Sequence, residues 1–208
     1  MTFSLDEMTG IQALERTMPN LPMKPGRPEK VEFEYIRHGT QSLIASFNVA
    51  TGRIDHATVG DTRTEADLAA HLSALIAKNS QASKIHLVMD CLNTHQSEAV
   101  VRLVASLEAE PIELGIKGSS GILQSMDSRA AFLRNPEHRL VVHFTPKHCS
   151  WLNQIEIWFS ILVRKLLRRA CFTSQADLKA KILDFIEYFN RTMAKPFKWN
   201  YTGKPLTS

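Results

Sequence analysis

Two short apolar runs, Ile85-His86-Leu87-Val88-Met89-Asp90 and Leu140-Val141-Val142-His143-Phe144, are separated by segments of helical periodicity. Strands this apolar are covered on both faces, and strands joined through helices run parallel. The chain is thereby confined to a sheet carrying helices. Upstream the period is two: Phe33 and Tyr35 alternate with Glu32 and Glu34, and further runs span Leu43 to Val49 and Ile54 to Val59. The intervening Arg37-His38-Gly39-Thr40 and Ala50-Thr51-Gly52 read as turns, which predicts an antiparallel meander. Phe3-Ser4-Leu5-Asp6 reads as the end of a further strand.

Helical spacing places Leu68, Leu72, Leu75 and Ile76 on one face behind the capping pattern Thr62-x-x-Glu65. A second helix carries Val100, Val101, Val104 and Leu107, and a short one runs through Ala130-Ala131-Phe132-Leu133. Trp151 to Arg169 predicts a helix apolar on nearly every face, and Ser174 to about Asn190 a last one, with Leu178, Ile182, Phe185, Ile186 and Phe189 inward. The expectation is one α/β domain over 1–208: three antiparallel strands, then alternating helix and strand in a mixed sheet flanked by helices.

Pro19, Pro22, Pro25 and Pro28 recur every third residue, the turn of polyproline II, with Lys24, Arg27 and Lys30 in the same spacing. Residues 19–30 are expected to form an extended arm, read either as a basic edge for phosphates or a neighbouring subunit, or as a stiff surface loop.

The 44% hydrophobic and 22% charged residues exclude disorder and fibrous repeats. Three widely spaced cysteines exclude a disulfide framework. The N-terminus is no signal peptide, and the most apolar stretch, Ile155 to Val163, is too short and too polar for a membrane span, so a soluble intracellular protein is expected. Charge is uneven: residues 1–138 carry 13 basic against 17 acidic side chains, residues 139–208 carry 12 against 4. A basic C-terminal third is either a solvated face or a surface for a polyanion such as nucleic acid.

Three acids occupy apolar surroundings: Asp90 ends its strand, Asp6 ends the first strand-like run, and Glu156 sits in Trp151-Leu152-Asn153-Gln154-Ile155-Glu156-Ile157-Trp158-Phe159. Burying a carboxylate is costly unless it is paired or metal-bound. Each has a structural alternative: Glu156 in a capping box with Asn153, Asp90 as a turn cap, Asp6 as a surface acid. Brought together they would suit phosphodiester chemistry on two divalent ions about 3.5–4 Å apart, for which oxygen donors are the natural ligands. Zinc is disfavoured, because His138, His143, His148 and Cys149 match no zinc spacing. Gly115, Gly118 and Gly121 with Lys117 form no Walker loop and read as a flexible loop. Lys147 and His148 precede the third acid, and Arg164, Lys165, Arg168 and Arg169 follow it; Trp151, Trp158 and Trp199 are rings for stacking or packing.

Asp90-Cys91-Leu92-Asn93-Thr94-His95, and the block from Phe144-Thr145-Pro146-Lys147-His148-Cys149-Ser150 through Trp158-Phe159, closely resemble bacterial insertion-sequence transposases of the mariner-related IS six-thirty family. Asp6-Glu7 with Thr9-Gly10-Ile11-Gln12-Ala13, Tyr35-Ile36-Arg37-His38-Gly39-Thr40 and Ala194-Lys195-Pro196-Phe197-Lys198-Trp199 extend the likeness over essentially the whole chain. Cys91 departs from the Asn that many relatives carry there. The resemblance implies a ribonuclease H-like fold and metal-dependent DNA strand cleavage and transfer at element ends. It assigns Asp6, Asp90 and Glu156 as a catalytic triad holding two Mg2+ ions, with Mn2+ as a substitute. Asn93 and His95 follow the second acid in a supporting or DNA-contact role, and Lys147, His148, Arg164, Lys165, Arg168 and Arg169 are phosphate contacts. The implied partners are DNA at element ends and target, a second copy in a homodimer, and a separately encoded helix-turn-helix portion, in a bacterial cytoplasm at the nucleoid. A catalytically silent DNA-binding or dimerising remnant is the alternative expectation.

Overall fold

A computed structural model describes residues 1–146 and 149–198. The apolar runs at 85–90 and 140–144 become β4 (Ile85–Met89) and β5 (Leu140–Phe144), paired in parallel with Ile85 beside Leu140 and Met89 beside Phe144. With β1 (Thr2–Arg16), β2 (Tyr35–Asn48) and β3 (Arg53–Gly60) they form a mixed sheet of order β3-β2-β1-β4-β5. β2 is antiparallel to both β1 and β3, and β1 pairs β4 in parallel. The ribonuclease H-like α/β architecture expected from the sequence is the one observed.

Strand alternation sorts side chains into two cores. Phe3, Leu5, Ile44, Leu87 and Val142 meet α1 (Glu65–Lys78), α2 (Glu98–Ser106) and α3 (Met126–Leu133) on one face. Leu43, Ala45, Phe47 and Ala13 meet α4 (Ile155–Leu162) and α5 (Gln175–Thr192) on the other. Close packing on both faces holds the sheet rigidly between its helices.

The meander is present with different membership. Its first strand is the N-terminal one; residues 31–34 are irregular, and Phe33 is 83% exposed. Arg37 to Thr40 continues β2, with Arg37 beside Leu14 and Thr40 beside Gln12. Gly39, at φ 112°, lies where the register shifts, so it marks an irregularity inside a strand rather than a turn. The cap of α1 is Thr64 with Asp67, and Thr62 supports it by donating to Asp67 Oδ2 at 2.7 Å. The helix expected over 151–169 is broken into a 3-10 turn (Ser150–Leu152), α4, and one π turn (Val163–Leu167).

The proline-rich segment between β1 and β2 is no polyproline rod. Leu21 and Lys30 exchange backbone hydrogen bonds, as do Lys24 and Arg27. Pro25 and Gly26, the latter at φ 73°, occupy the turn as a type II arrangement requires. Proline spacing constrains φ only, and the Pro-Gly pair reverses the chain.

Candidate active site

β1 and β4 are paired with Thr2 beside His86, Phe3 beside Leu87 and Ser4 beside Val88. Two residues further along that register, Asp6 and Asp90 come side by side at the carboxyl end of β4. One ligand atom each of Asp6, Asp90 and His95 lies within 4.8 Å of the others. Glu156 lies outside that tight group. It opens α4 and feels the charge of Asp90, which together with burial raises its pKa, burial being the larger cause. The three acids therefore occupy one neighbourhood, two in close contact and Glu156 at its rim.

Asp6 is 7% exposed, and burial is the main cause that pushes its pKa up to about 7. The Glu7 amide, donating to Oδ1 at 2.8 Å, opposes this, and the Asp90 charge adds to it. Asp90 moves the other way: a hydrogen bond from His95 holds it below the usual carboxylate range. Two carboxylates this close, one of them buried, form an oxygen donor pair, and such a pair suits Mg2+ or Mn2+.

His95 is fully buried. Its Nδ1 is 2.8 Å from Asp90 Oδ1 and its Nε2 is 3.0 Å from Glu7 Oε2. Burial alone depresses an imidazole; the hydrogen bonds to Asp90 and Glu7 outweigh it and lift His95 to about 10. With both nitrogens facing carboxylates, His95 sits between Asp90 and Glu7 as the third member of the group with Asp6 and Asp90. Asn93 is exposed on the 3-10 turn Asn93–Gln96. Cys91 donates to the Thr145 carbonyl at 3.2 Å.

Sequence reasoning missed two residues. Asn153 is completely buried, and its side chain does not cap α4, whose N-cap is Gln154. Its Nδ2 donates to Leu5 O at 2.8 Å and faces Asp6 Oδ2 at 3.4 Å, while its Oδ1 accepts from Ser4 Oγ. Ser4 Oγ in turn accepts from the Ile155 amide at 2.8 Å, so the start of α4 is tied to β1 beside Asp6. The capping box considered for Glu156 with Asn153 is thus not formed. Glu7 is the second, its side chain 1% exposed. It shares strand parity with Phe3 and Leu5, a signal that an acid had entered a core-facing position.

Arg164, Lys165, Arg168 and Arg169 lie on the π turn and just beyond it. Arg164 and Arg168 line a cavity of ≈ 340 Å³ with Glu156 and Met8. The same two arginines, with Arg169 and Arg16, line a larger one of ≈ 730 Å³ reaching the root of the arm. The π turn, closed by Arg168 N donating to Val163 O at 2.9 Å, helps present these side chains. Lys147, His148 and Trp199 lie outside the described residues. Trp158 is buried and Trp151 is 54% exposed. Lys117 pairs with Glu98 at 3.5 Å and Glu65 at 4.0 Å. His138 packs on Phe132, and His143 Nε2 lies 3.0 Å from His86 Nδ1.

A model of the DDE superfamily endonucleases matches residues 2–179. The chain belongs to that superfamily. The fold of this DDE domain is similar to that of solved Mos1 transposase structures. A Mos1 paired-end complex with the left transposon end matches at TM-score 0.57 and 13% identity, covering 89% of this chain and 47% of that one. A pre-cleavage Mos1 transpososome matches at 0.55 and 12% (89% and 48% covered), and a Mos1 strand transfer complex at 0.54 and 12% (91% and 49%). The DDE domain therefore spans about half the length of these chains. No curated protein matches it in sequence. Among its described residues, no helix is long and apolar enough to cross a membrane.

Proposed function

We propose that this DDE domain is the catalytic part of a bacterial insertion-sequence transposase of the IS six-thirty type, which cuts DNA at element ends and joins it to target DNA. The observation that carries the reading is the meeting of Asp6, which lies within β1 rather than at its end, with Asp90 just past the end of the parallel strand β4, with Glu156 supplied by the helix that Asn153 ties to Asp6.

Asp6, Asp90 and Glu156 would hold divalent cations, Mg2+ or in its place Mn2+. When bound, such ions activate the attacking oxygen and stabilise the leaving one. The protein's own contribution is positional. His95 and the Leu92 amide, 3.0 Å away, both bind Asp90 Oδ1, which fixes that carboxylate. Asn153 holds Asp6, and the buried setting of Asp6 keeps water from dispersing its charge. Arg164, Arg168 and Arg169, with Lys165 beside them, offer cationic groups for a phosphate backbone leading away from Glu156, and Lys147 and His148 are further candidates. On this reading the protein works at the nucleoid, and a second copy and a helix-turn-helix portion join it at element ends.

The test is metal-dependent nicking of supercoiled DNA by wild type and by Glu156→Gln. The amide keeps the shape but loses the charge, so nicking should vanish while the circular dichroism spectrum stays unchanged. Full nicking by the variant would refute the assignment, and a silent wild type that still shifts DNA in a gel would favour a binding remnant.

A further inference from the structure

Asp6 and Glu7 are consecutive on β1, so their side chains leave opposite faces of the sheet. Asp6 is held on the α4 side by Asn153. Glu7 shares the parity of Phe3 and Leu5, which pack against α1 and α2. Both nevertheless converge on one unit, because the 3-10 turn Asn93–Gln96 carries His95 around the end of β4. The imidazole spans Asp90 Oδ1 at 2.8 Å and Glu7 Oε2 at 3.0 Å, and its Nδ1 also lies 3.1 Å from the Asp90 carbonyl.

We propose that Glu7 is a positioning residue of the cation site, acting through His95 to fix which oxygen of Asp90 is free to bind a divalent metal. The inference rests on the assignment of Asp6 and Asp90 as ligands made above. Each imidazole nitrogen lies within hydrogen-bond distance of one carboxylate oxygen, so the ring is held from both sides. With Glu7 in place, Asp90 Oδ1 receives His95 Nδ1–H and the Leu92 amide together. Among the described residues no hydrogen bond falls on Oδ2, which remains the ligand oxygen. Without the Glu7 acceptor the ring is free to turn or change tautomer, and the carboxylate loses its preferred orientation. Such outer partners typically set metal affinity by about 10- to 100-fold.

Three measurements on the full chain test this. Mn2+ binding, read by electron paramagnetic resonance without DNA, should weaken by about 10- to 100-fold in Glu7→Gln, while Glu7→Asp recovers part of the loss. DNA affinity in chelator should be unchanged, since Glu7 is buried away from the basic rim. His95→Gln should weaken Mn2+ binding as Glu7→Gln does, and the double variant should be no worse than either single one, because both changes break the same Glu7–His95–Asp90 chain. Wild-type Mn2+ affinity in a folded Glu7→Gln, or losses from Glu7→Gln and His95→Gln that simply add in the double variant, would overturn the proposal; Glu7→Asp, which keeps the charge, serves where Glu7→Gln does not fold. If Asp6→Asn binds Mn2+ as well as wild type, the ligand assignment itself has failed, an outcome distinct from an unaffected Glu7→Gln beside an impaired Asp6→Asn.

Discussion

Asp6 and Asn153 stand 147 residues apart in the chain, and the amide Nδ2 of Asn153 lies 3.4 Å from the Asp6 Oδ2. The same amide binds the Leu5 carbonyl, and its oxygen accepts from Ser4. One buried side chain therefore sets where α4 begins relative to β1, and with it where Glu156 is placed.

Replacing Asn153 by Ala leaves Ser4 Oγ and the Leu5 carbonyl short of a partner in a dry environment. The cost should be about 1–3 kcal/mol in stability, as for other buried unsatisfied groups. Denaturant unfolding measures it. Nicking should fall further than the folded fraction does, because Glu156 loses its anchor; a variant destabilised but fully active per folded molecule would show that Asn153 serves packing alone.

Binding of Mn2+ should depend steeply on pH around neutrality. Asp6, raised to about 7 by burial, keeps its proton below that value, and a metal must displace it. Affinity should drop by about tenfold per unit as pH falls below 7 and level off above it. Isotherms at several pH values check this, and a flat profile across neutrality removes Asp6 from the ligand set.

In chelator the same group gives a stability trend of opposite sense to that of a salt-bridged acid. Its folded pKa lies above the unfolded value of 3.8, so between these the folded state holds the extra proton. Stability contributed by Asp6 is therefore present at low pH and lost as pH rises toward 7, by roughly 1.4 kcal/mol per unit. The difference between Asp6→Asn and wild type should grow in favour of the variant over that window. Thermal unfolding in chelator at several pH values from about 4 to 8 reads it directly, and parallel curves would contradict the buried-carboxyl assignment.

Neutralising Arg164, Arg168 and Arg169 together to Gln should weaken DNA binding and flatten its salt dependence. The slope of log affinity against log salt should shrink by roughly 0.9 for each phosphate that no longer meets a cation. Fluorescence anisotropy with duplex DNA at several salt concentrations suffices. An unchanged slope would place the DNA path elsewhere than along the two arginine-lined cavities.

Periodicity alone was enough for β4, β5, α1, α2 and α5, because apolar spacing follows directly from which face is buried. The acids Asp90 and Glu156 were visible for the same reason, as charges within apolar runs. Other features were not legible locally. Gly39 looks alike as a turn or as a strand irregularity, and only the pairing of its neighbours with Gln12 and Leu14 distinguishes the two. The proline repeat suggested a rod until backbone pairing between Leu21 and Lys30 folded it back. Asn153 read as a cap because capping is a local rule, whereas its actual partners lie in β1.

The strands β4 and β5, the helices α1, α2 and α5, and the residue types able to hold a hard cation were thus determined by the sequence alone, since these depend on local spacing and side-chain chemistry. The convergence of Asp6 with Asp90, the bridge from Glu7 through His95, and the tie from Asn153 to Ser4 and Asp6 were decided only by tertiary structure. They depend on strand register and on contacts between residues far apart in the chain, to which no local pattern is sensitive.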